Sequence, residues 1–369
     1  EKEKLFCSRD RFGIKPFYYS IKNHQFVFAS EIKALLESFP AKINKDTLCK
    51  YFYYDEIDTS SDTFFEGITQ LSPGHSLTIK KGDLKVKSYY TLEKKIKPIQ
   101  NNPVKGFFEK FRKAVRLRLR SDVSVGFALS GGVDSSSIVG MAHNISGKER
   151  KDTFSIVYPG TAIDESTYID AVIQKTQFNN YQLTPVKEDL KLDLASFIYH
   201  QEEPVPNLSY YNEYKLRSYI QEKKVVVTLE GQGADEIVTG YRSFVLPFYF
   251  DLIESFQWKK LLNEIKHFKK LYPQTFFNIL LRYCLSKLPQ NLLQTLKKII
   301  KKRQNPLINS NYFGSLPNII SPKNKCTNLN SALMNSLRVH SLPKQLTRAD
   351  KSAMAHSIEC RFPFLDHNL

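Results

Sequence analysis

A chain of 369 residues is long enough for two domains, each with its own core. With 41% hydrophobic and 25% charged residues it is composed like an ordinary globular protein. Its apolar runs are short, Phe276 to Leu281 already being broken by Asn278, and fall far short of the roughly 20 apolar residues that a membrane helix needs. The balance of 54 Lys and Arg against 37 Asp and Glu, a formal +17, raises nucleic acid as a partner. Much of the excess, however, lies in Lys259, Lys260, Lys266, Lys269, Lys270, Lys297, Lys298 and Lys301 to Arg303. The first of these stand beside Trp258, Leu261, Leu262, Ile265 and Phe268 at helical spacing, the pattern of a solvated helix face, and interleaved aromatics and arginines are lacking. No nucleic-acid or membrane partner is expected.

Residues 1–90 read as β-rich. Leu5 to Ser8 is strand-like, Asp10 to Pro16 has turn chemistry, and Phe17 to Tyr19 and Phe26 to Phe28 flank a second turn. Glu31 to Leu36 is helical. Ser72-Pro73-Gly74-His75 is a tight turn, followed by two short strands around Lys81-Gly82-Asp83. The chain has no initiator Met and starts in mid-sheet, so its N-terminus is expected to be cut; Glu1 to Lys4 lead into a strand rather than a signal peptide, and the cytoplasm is the expected compartment. Residues 93–104, with Pro98 and Pro103, read as a linker.

Beyond the linker helices alternate with buried strands. Expected are a helix over Lys105 to Leu119, a strand over Val123 to Leu129 and a helix from Ser135. Then come a strand over Phe154 to Val157, helices over Thr167 to Thr176 and Tyr211 to Gln221, and a strand over Val225 to Leu229. Such β-branched, unalternating strands suit a parallel sheet covered on both faces. Residues 245–345 are helical and irregular. Five cysteines, Cys7, Cys49, Cys284, Cys326 and Cys360, form no CxxC pair; each is expected to be a small half-buried apolar side chain rather than a zinc ligand or half of a disulfide.

Two loops carry chemistry. Ser130-Gly131-Gly132-Val133-Asp134-Ser135-Ser136 lies between a buried strand and a helix. Its glycines let the backbone pass close to a ligand, and its hydroxyls with the amides of the helix start can cradle phosphate oxygens. Asp134 would repel phosphate unless a divalent cation lay between them, which fits Mg²⁺ held by phosphates and one or two carboxylates. The alternative is a plain strand-to-helix turn. Leu229-Glu230-Gly231-Gln232-Gly233-Ala234-Asp235-Glu236 ends another buried strand. Ligands of open parallel sheets bind beyond the carboxyl ends of strands, so both loops are placed to face one cavity; here the alternative is a Gly-rich turn whose Asp-Glu pair caps a helix.

The run from Arg118 to Ser136 closely resembles the pyrophosphatase loop of the asparagine synthetase (glutamine-hydrolysing) family, and Leu229 to Glu236 resembles its second nucleotide loop. The resemblance implies an α/β chain in three parts. Residues 1–92 would be the C-terminal part of a β-rich N-terminal-nucleophile glutaminase, 93–104 a linker, and 105–369 a parallel-sheet ATP-pyrophosphatase domain of the adenine nucleotide alpha hydrolase-like type, cut at its C-terminus. By the same resemblance, Ala128, Leu129 and Ile156 would lie by the adenosine, and Ser130, Gly131, Gly132, Asp134, Ser135 and Ser136 around the pyrophosphate. Glu230 and Gly231 would approach the ribose or α-phosphate, and Asp134 and Asp235 would hold Mg²⁺. Catalysis would rest on Gln232, Asp235 and Glu236. Much of the family has serine or aspartate where this chain has Glu230 and glutamate where it has Gln232, and the Gly-Gln-Gly-Ala-Asp-Glu form resembles one branch of it; an amide is no base.

Leu346 to Asp366 resembles the family's late motif, with Lys351, Glu359 and Arg361 either in buried ion pairs near the cavity or purely structural. His200 to Pro204 would line the acceptor pocket or cap a helix. Asp10 to Tyr19, Phe28 to Leu36 and Leu71 to His75 look like the back half of the glutaminase domain, whose nucleophilic Cys is a mature first residue; Cys7, inside a strand, is not that nucleophile. The implied reaction turns aspartate into asparagine through β-aspartyl-AMP, consuming ATP, with nitrogen from glutamine or ammonia; a homodimer is compatible with it. The rivals are an amidotransferase acting on a cell-envelope sugar or peptide carboxylate, a tRNA-modifying pyrophosphatase-loop enzyme, and an inactive fragment that only binds partners.

Overall fold

The computed structural model describes residues 4–23, 25–54, 56–96, 102–147, 149–269, 274–288 and 328–369. Two compact units arise, one from residues 1–43, 60–234 and 343–369, the other from 44–59 and 235–342.

The first unit begins with two three-stranded sheets. β1 (Lys4–Ser8) pairs antiparallel with β5 (His75–Lys80), which pairs with β6 (Asp83–Ser88); β2 (Tyr18–Lys22) lies between β3 (Gln25–Ala29) and β4 (Thr69–Gln70). The β5–β6 hairpin turns at Lys81 and Gly82, both left-handed at φ +50° and +79°, the turn whose twist matches that of the strands. The Asp10 to Pro16 segment is held from both sides. The Asp10 carboxylate accepts from the amides of Phe12, Ile14 and Lys15, while buried Arg9 donates to the carbonyls of Gly13, Lys15 and Leu71. Helix α1 (Ile32–Leu36) packs Ile32 and Leu35 against Tyr18 and Ile68.

The rest of this unit is a five-stranded parallel sheet in the order β11-β10-β7-β8-β9. Its strands are β7 (Val125–Ala128), β8 (Asp152–Ile156), β9 (Asn179–Leu183), β10 (Val227–Leu229) and β11 (Glu359–Arg361). Helix α3 (Pro103–Arg118) leads into β7, and helices α4 (Val133–Ser146), α5 (Ser166–Thr176), α6 (Lys187–Gln201) and α7 (Ser209–Glu222) connect β7, β8, β9 and β10 in turn. The expected α/β class with a parallel sheet is what the chain forms. Helix α3 starts at Pro103, earlier than expected, because Asn102 Oδ1 caps the amides of Val104 and Lys105. Helix α4 likewise starts at Val133 rather than Ser135, and β7 and β10 are shorter than their apolar runs. Strands β9 and β11 and helix α6 were not expected. β9 is a polar edge strand and β11 has three residues, so neither shows an apolar period, while α6 buries only Phe197 and Gln201.

The second unit contains α2 (Lys45–Tyr54), also unexpected, and α9 (Val245–Glu254), α10 (Trp258–Phe268), α11 (Phe276–Lys287) and α12 (Leu329–Asn335). Its core gathers Tyr249, Phe250, Leu252, Ile253, Leu261 and Ile279. Helix α8 (Ala234–Val238) and helix α13 (Leu342–Met354) run across the two unit boundaries. Lys259, Lys260, Lys266 and Lys269 are exposed, as a solvated face requires, but of the apolar stripe beside them only Leu261 is buried. Lys270, Lys297, Lys298, Lys301 to Arg303 and Cys326 lie outside the described residues. Cys7, Cys49 and Cys360 are buried, whereas Cys284 is exposed, contrary to expectation: it sits on an outward position of α11. Among the described residues no helix is long and apolar enough to cross a membrane.

Candidate active site

Strand order decides where a ligand can sit. From β7 the chain moves one way to β8 and β9, then returns to place β10 on the other side of β7. Helix connections therefore diverge between β7 and β10, and the crevice at the carboxyl ends of those two strands is the switch point where parallel sheets bind ligands. Both loops singled out in the sequence leave from it: Leu129 to Gly132 after β7, and Glu230 to Gly233 after β10.

The first loop is made of small groups. Ser130 N–H donates to Ser135 Oγ at 3.2 Å, the Ser130 and Ser135 hydroxyls lie 3.1 Å apart, and Gly132 N–H donates to Ser130 Oγ at 3.3 Å. This ring of hydroxyls opens the N-terminus of α4, whose first-turn amides lack helical acceptors. Ser136 Oγ is shielded from water with no hydrogen-bond partner among the described residues, a donor waiting for an acceptor. Gly131 is required by its backbone: φ is +80°, and an added Cβ would sit 2.9 Å from Tyr168 Cβ. Val133 is 85% exposed beside this loop, an unusual place for a valine.

The second loop touches the first. A Cβ on Gly231 would lie 3.1 Å from Asp134 Cβ and 3.3 Å from Ser135 N. A side chain at position 231 would press on the start of α4, so glycine lets β10's loop pass close to it. Gly233, at φ +93°, has no room for a Cβ either, because Leu365 fills the space. Half-buried Ala128 ends β7 and buried Leu129 follows it, and half-buried Ile156 ends β8 two strands from β10. Gln232 is half-buried in the loop.

Glu230 differs from its neighbours. Its carboxylate turns inward: Oε2 is 2.6 Å from Arg217 Nη2 and Oε1 accepts from Thr228 Oγ1 at 2.7 Å, with both ionic side chains 2% exposed. Behind the pair lies Glu213, whose carboxyl burial pushes up to about 7, with Arg217 pulling it down and Glu230 pushing it further up. Burial lifts the Cys360 thiol of β11 well above its ordinary range, so it is an inert thiol. Glu230 thus meets the interior through its side chain, and only its main chain belongs to the loop surface. Arg217 was missed in the sequence, although its place among Tyr210, Tyr214 and Ile220 on the buried stripe of α7 was a signal.

In the second unit, Asp235 and Glu236 open α8. Burial pushes the Asp235 carboxyl up and the Tyr241 hydroxyl pulls it back; Glu236 is likewise raised by burial, against the hydroxyls of Ser341 and Tyr241. Carboxylates held above their range by burial are ones a cation would stabilise. Among the described residues no three His, Cys, Asp or Glu side chains form a metal-binding group, so a cation here would depend on few carboxylates and on its ligand's own oxygens. Of the late-motif charges, Lys351 is buried in ion pairs, while Arg361 pairs with half-exposed Glu359 and donates to the carbonyls of Arg118 and Arg120.

A glycine-serine loop at a helix start and a second glycine loop against it, both at the switch point of the sheet, place the chain among proteins of the parallel α/β class. A family model for asparagine synthase matches residues 106–369, and one for a glutamine amidotransferase domain matches residues 1–90. The chain belongs to the asparagine synthase family. A provisionally named asparagine synthetase (glutamine-hydrolyzing) 2 of Methanocaldococcus jannaschii is 35% identical over 69% of this chain and 50% of its own length. Asparagine synthetase (glutamine-hydrolyzing) 1 of Bacillus subtilis is 29% identical over 98% of this chain and 58% of its own. Amidase chry2 of Gibberella zeae is 30% identical over 66% of this chain and 39% of its own. The chain thus spans about half the length of the asparagine synthetases it matches.

Proposed function

We propose that the protein to which this chain belongs is an ATP-dependent, amide-forming ligase that converts aspartate to asparagine with nitrogen from glutamine or ammonia. The single observation that carries this reading is the contact of the two loops at the switch point, with Gly231 against Asp134 and Ser135, in a chain of the asparagine synthase family. A carboxylate is a poor acyl donor. An oxygen of the aspartate β-carboxylate attacks the α-phosphorus of ATP, the bond to the β-phosphate oxygen breaks, and pyrophosphate leaves. Ammonia then attacks the acyl carbon of β-aspartyl-AMP, the bond to AMP breaks, and one proton is lost.

Each residue has a place in that scheme. Ser130, Gly131, Gly132, Ser135 and Ser136 hold the pyrophosphate oxygens, with Ser136 Oγ the donor still to be satisfied. Ala128, Leu129 and Ile156 supply the wall for adenosine, and the main chain of Glu230 and Gly231 runs by the ribose or α-phosphate. Asp134 and Asp235 are the carboxylates for Mg²⁺, which when bound neutralises the charge that builds up on the leaving pyrophosphate. Gln232 orients the acceptor as a hydrogen-bonding group, since its amide can donate to a carboxylate but takes no proton. Glu236, raised by burial, is the group suited to receive the ammonia proton.

The test is AMP and pyrophosphate formation by the full-length protein from ATP, aspartate and ammonium. AMP formed only when aspartate is present, with asparagine in equal amount, supports the reading. AMP formed only with another carboxylic acid keeps the adenylation and overturns the acceptor. The 30% identity to an amidase is the observation favouring that second reading, an amide ligase acting on a different carboxylate.

A further inference from the structure

Charged residues that the nucleotide site leaves unused, from Gln201 to Glu203 and from Arg348 to Ser352, meet in one buried cluster. Helix α6 ends at Gln201, and Glu202 follows at φ +62°. That left-handed cap is a glycine or asparagine position, so a glutamate there carries backbone strain. Its carboxylate shows what the strain serves. Glu202 Oε1 accepts from Lys33 N–H at 2.8 Å and lies 3.6 Å from Lys33 Nζ; Oε2 lies 3.1 Å from Lys351 Nζ. Glu203 Oε1 accepts from Phe64 N–H at 3.1 Å, and Oε2 faces Lys351 Nζ at 3.5 Å and Arg348 Nη1 at 3.9 Å. Lys351 donates to Gln201 O at 2.9 Å and stands 5.6 Å from the Tyr18 ring centre, and Gln201 Nε2 donates to Ser352 Oγ at 2.9 Å.

Lys33, Phe64 and Tyr18 lie in the region matched by the glutamine amidotransferase model; the two glutamates and Lys351 lie in the region matched by the asparagine synthase model. The carboxylates therefore hold two main-chain amides of one region while anchored by a cation of the other. All four of Glu202, Glu203, Arg348 and Lys351 are at most 4% exposed. Burial pulls the Lys351 ammonium down, but Tyr18, Glu203 and Glu202 outweigh it, and Lys351 stays charged. A buried ion cluster adds little net stability over apolar packing; what it fixes well is register, because each misplacement leaves a charge unpaired.

We infer that Glu202, Glu203 and Lys351 are positioning residues, a joint that registers the amidotransferase region on the synthetase region so that ammonia released from glutamine is used in amide formation rather than lost to water. This rests on the amide-forming reading above. It concerns hydrolysis of glutamine by water to glutamate and ammonia in one region and displacement of AMP by that ammonia in the other.

The experiment compares full-length wild type, Glu203→Gln and Lys351→Met, with Lys33→Ala as a third variant that keeps the accepted amide. Glutamate and AMP are measured with glutamine, AMP is measured with ammonium, and main-chain hydrogen exchange is followed at 30–36 and 60–68. Expected for Glu203→Gln and Lys351→Met is a rise of about fivefold or more in glutamate released per AMP formed, with ammonium-dependent AMP within about twofold of wild type. Exchange at Phe64 should speed up in both, and Lys33→Ala should leave the ratio near wild type. A merely structural cluster would lower all activities together at constant ratio, and that result overturns the inference. So does an unchanged ratio with unchanged exchange. If wild type forms no AMP with either nitrogen donor, the amide-forming reading fails and the coupling with it, while exchange at Lys33 and Phe64 still decides whether the joint holds.

Discussion

The loops after β7 and β10 leave neighbouring strands of one sheet and are built on opposite plans. The first is made of small groups: the hydroxyls of Ser130 and Ser135 bond to amides and to one another. The second is anchored from behind by a buried ion pair, Glu230 on Arg217, while the part that approaches the first loop is bare glycine backbone. The contrast shows two ways of presenting main chain to a ligand. One makes the loop itself small and self-bonded; the other lets a charged residue point into the core so that the next residue can be held still at the surface.

The sharpest way to break this contrast is to remove the anchor. Arg217→Met leaves Glu230 as an unpaired buried charge and should destabilise the fold by about 3–5 kcal/mol, read as a lowered urea midpoint, with Arg217→Met/Glu230→Gln recovering a large part. A single variant as stable as wild type would show that the pair does not hold the second loop. Next in size, Asp134→Asn and Asp235→Asn should each slow aspartate-dependent pyrophosphate release about 10²–10³-fold, the loss typical of one electrostatic stabiliser at a reacting centre, without lowering the unfolding midpoint. Wild-type release by both variants would remove the charges from the chemistry.

The buried carboxyl behind the anchor gives a pH test. Glu213, ordinarily at 4.5, is pushed up to about 7 in the fold, so between those values the folded chain holds a proton that the unfolded chain has released. Its contribution is therefore intact below pH 4.5 and is lost as pH rises through 7. Glu213→Gln should erase that slope, gaining on wild type by about 2–3 kcal/mol between pH 5 and 8. His356, held down to about 4 by burial, works in the opposite direction and cancels when the two proteins are compared. A constant difference across this range would mean that Glu213 is ionised throughout. Smallest is the change in the self-bonded loop. Gly131→Ala must adopt φ +80° against Tyr168 and should cost about 1–3 kcal/mol, seen as a drop in melting temperature and a raised KM for ATP.

What could be read in advance divides along the same line as the loops. Ser130 to Ser136 and Glu230 to Glu236 were legible because glycine and hydroxyl chemistry is local: the residues say what their own backbone can do. The apolar strands β7, β8 and β10 declared themselves by composition. The role of Arg217, the inward turn of Glu230 and the strand Glu359–Arg361 were not legible, because each is settled by a partner far along the chain. A carboxylate beside a glycine loop gives no sign of whether it faces ligand or core until the helix behind it is in place. The amides of Lys33 and Phe64, which Glu202 and Glu203 grip, carry no side-chain signal at all.

The order of strands also sets when the site can exist during synthesis on the ribosome. β10 must insert between β7, made long before it, and β11, whose three residues emerge long after it. Until Glu359–Arg361 pairs with Val227–Leu229, β10 is an open edge, its amides available to any extended segment nearby. Closure by so distant a stretch pays its loop entropy before any reward, which slows folding. A nascent chain of this protein would therefore pass through a window in which the loops after β7 and β10 are already made and the sheet that bears them is still sticky. Slow codons or chaperone contact between β10 and β11 would act on that window.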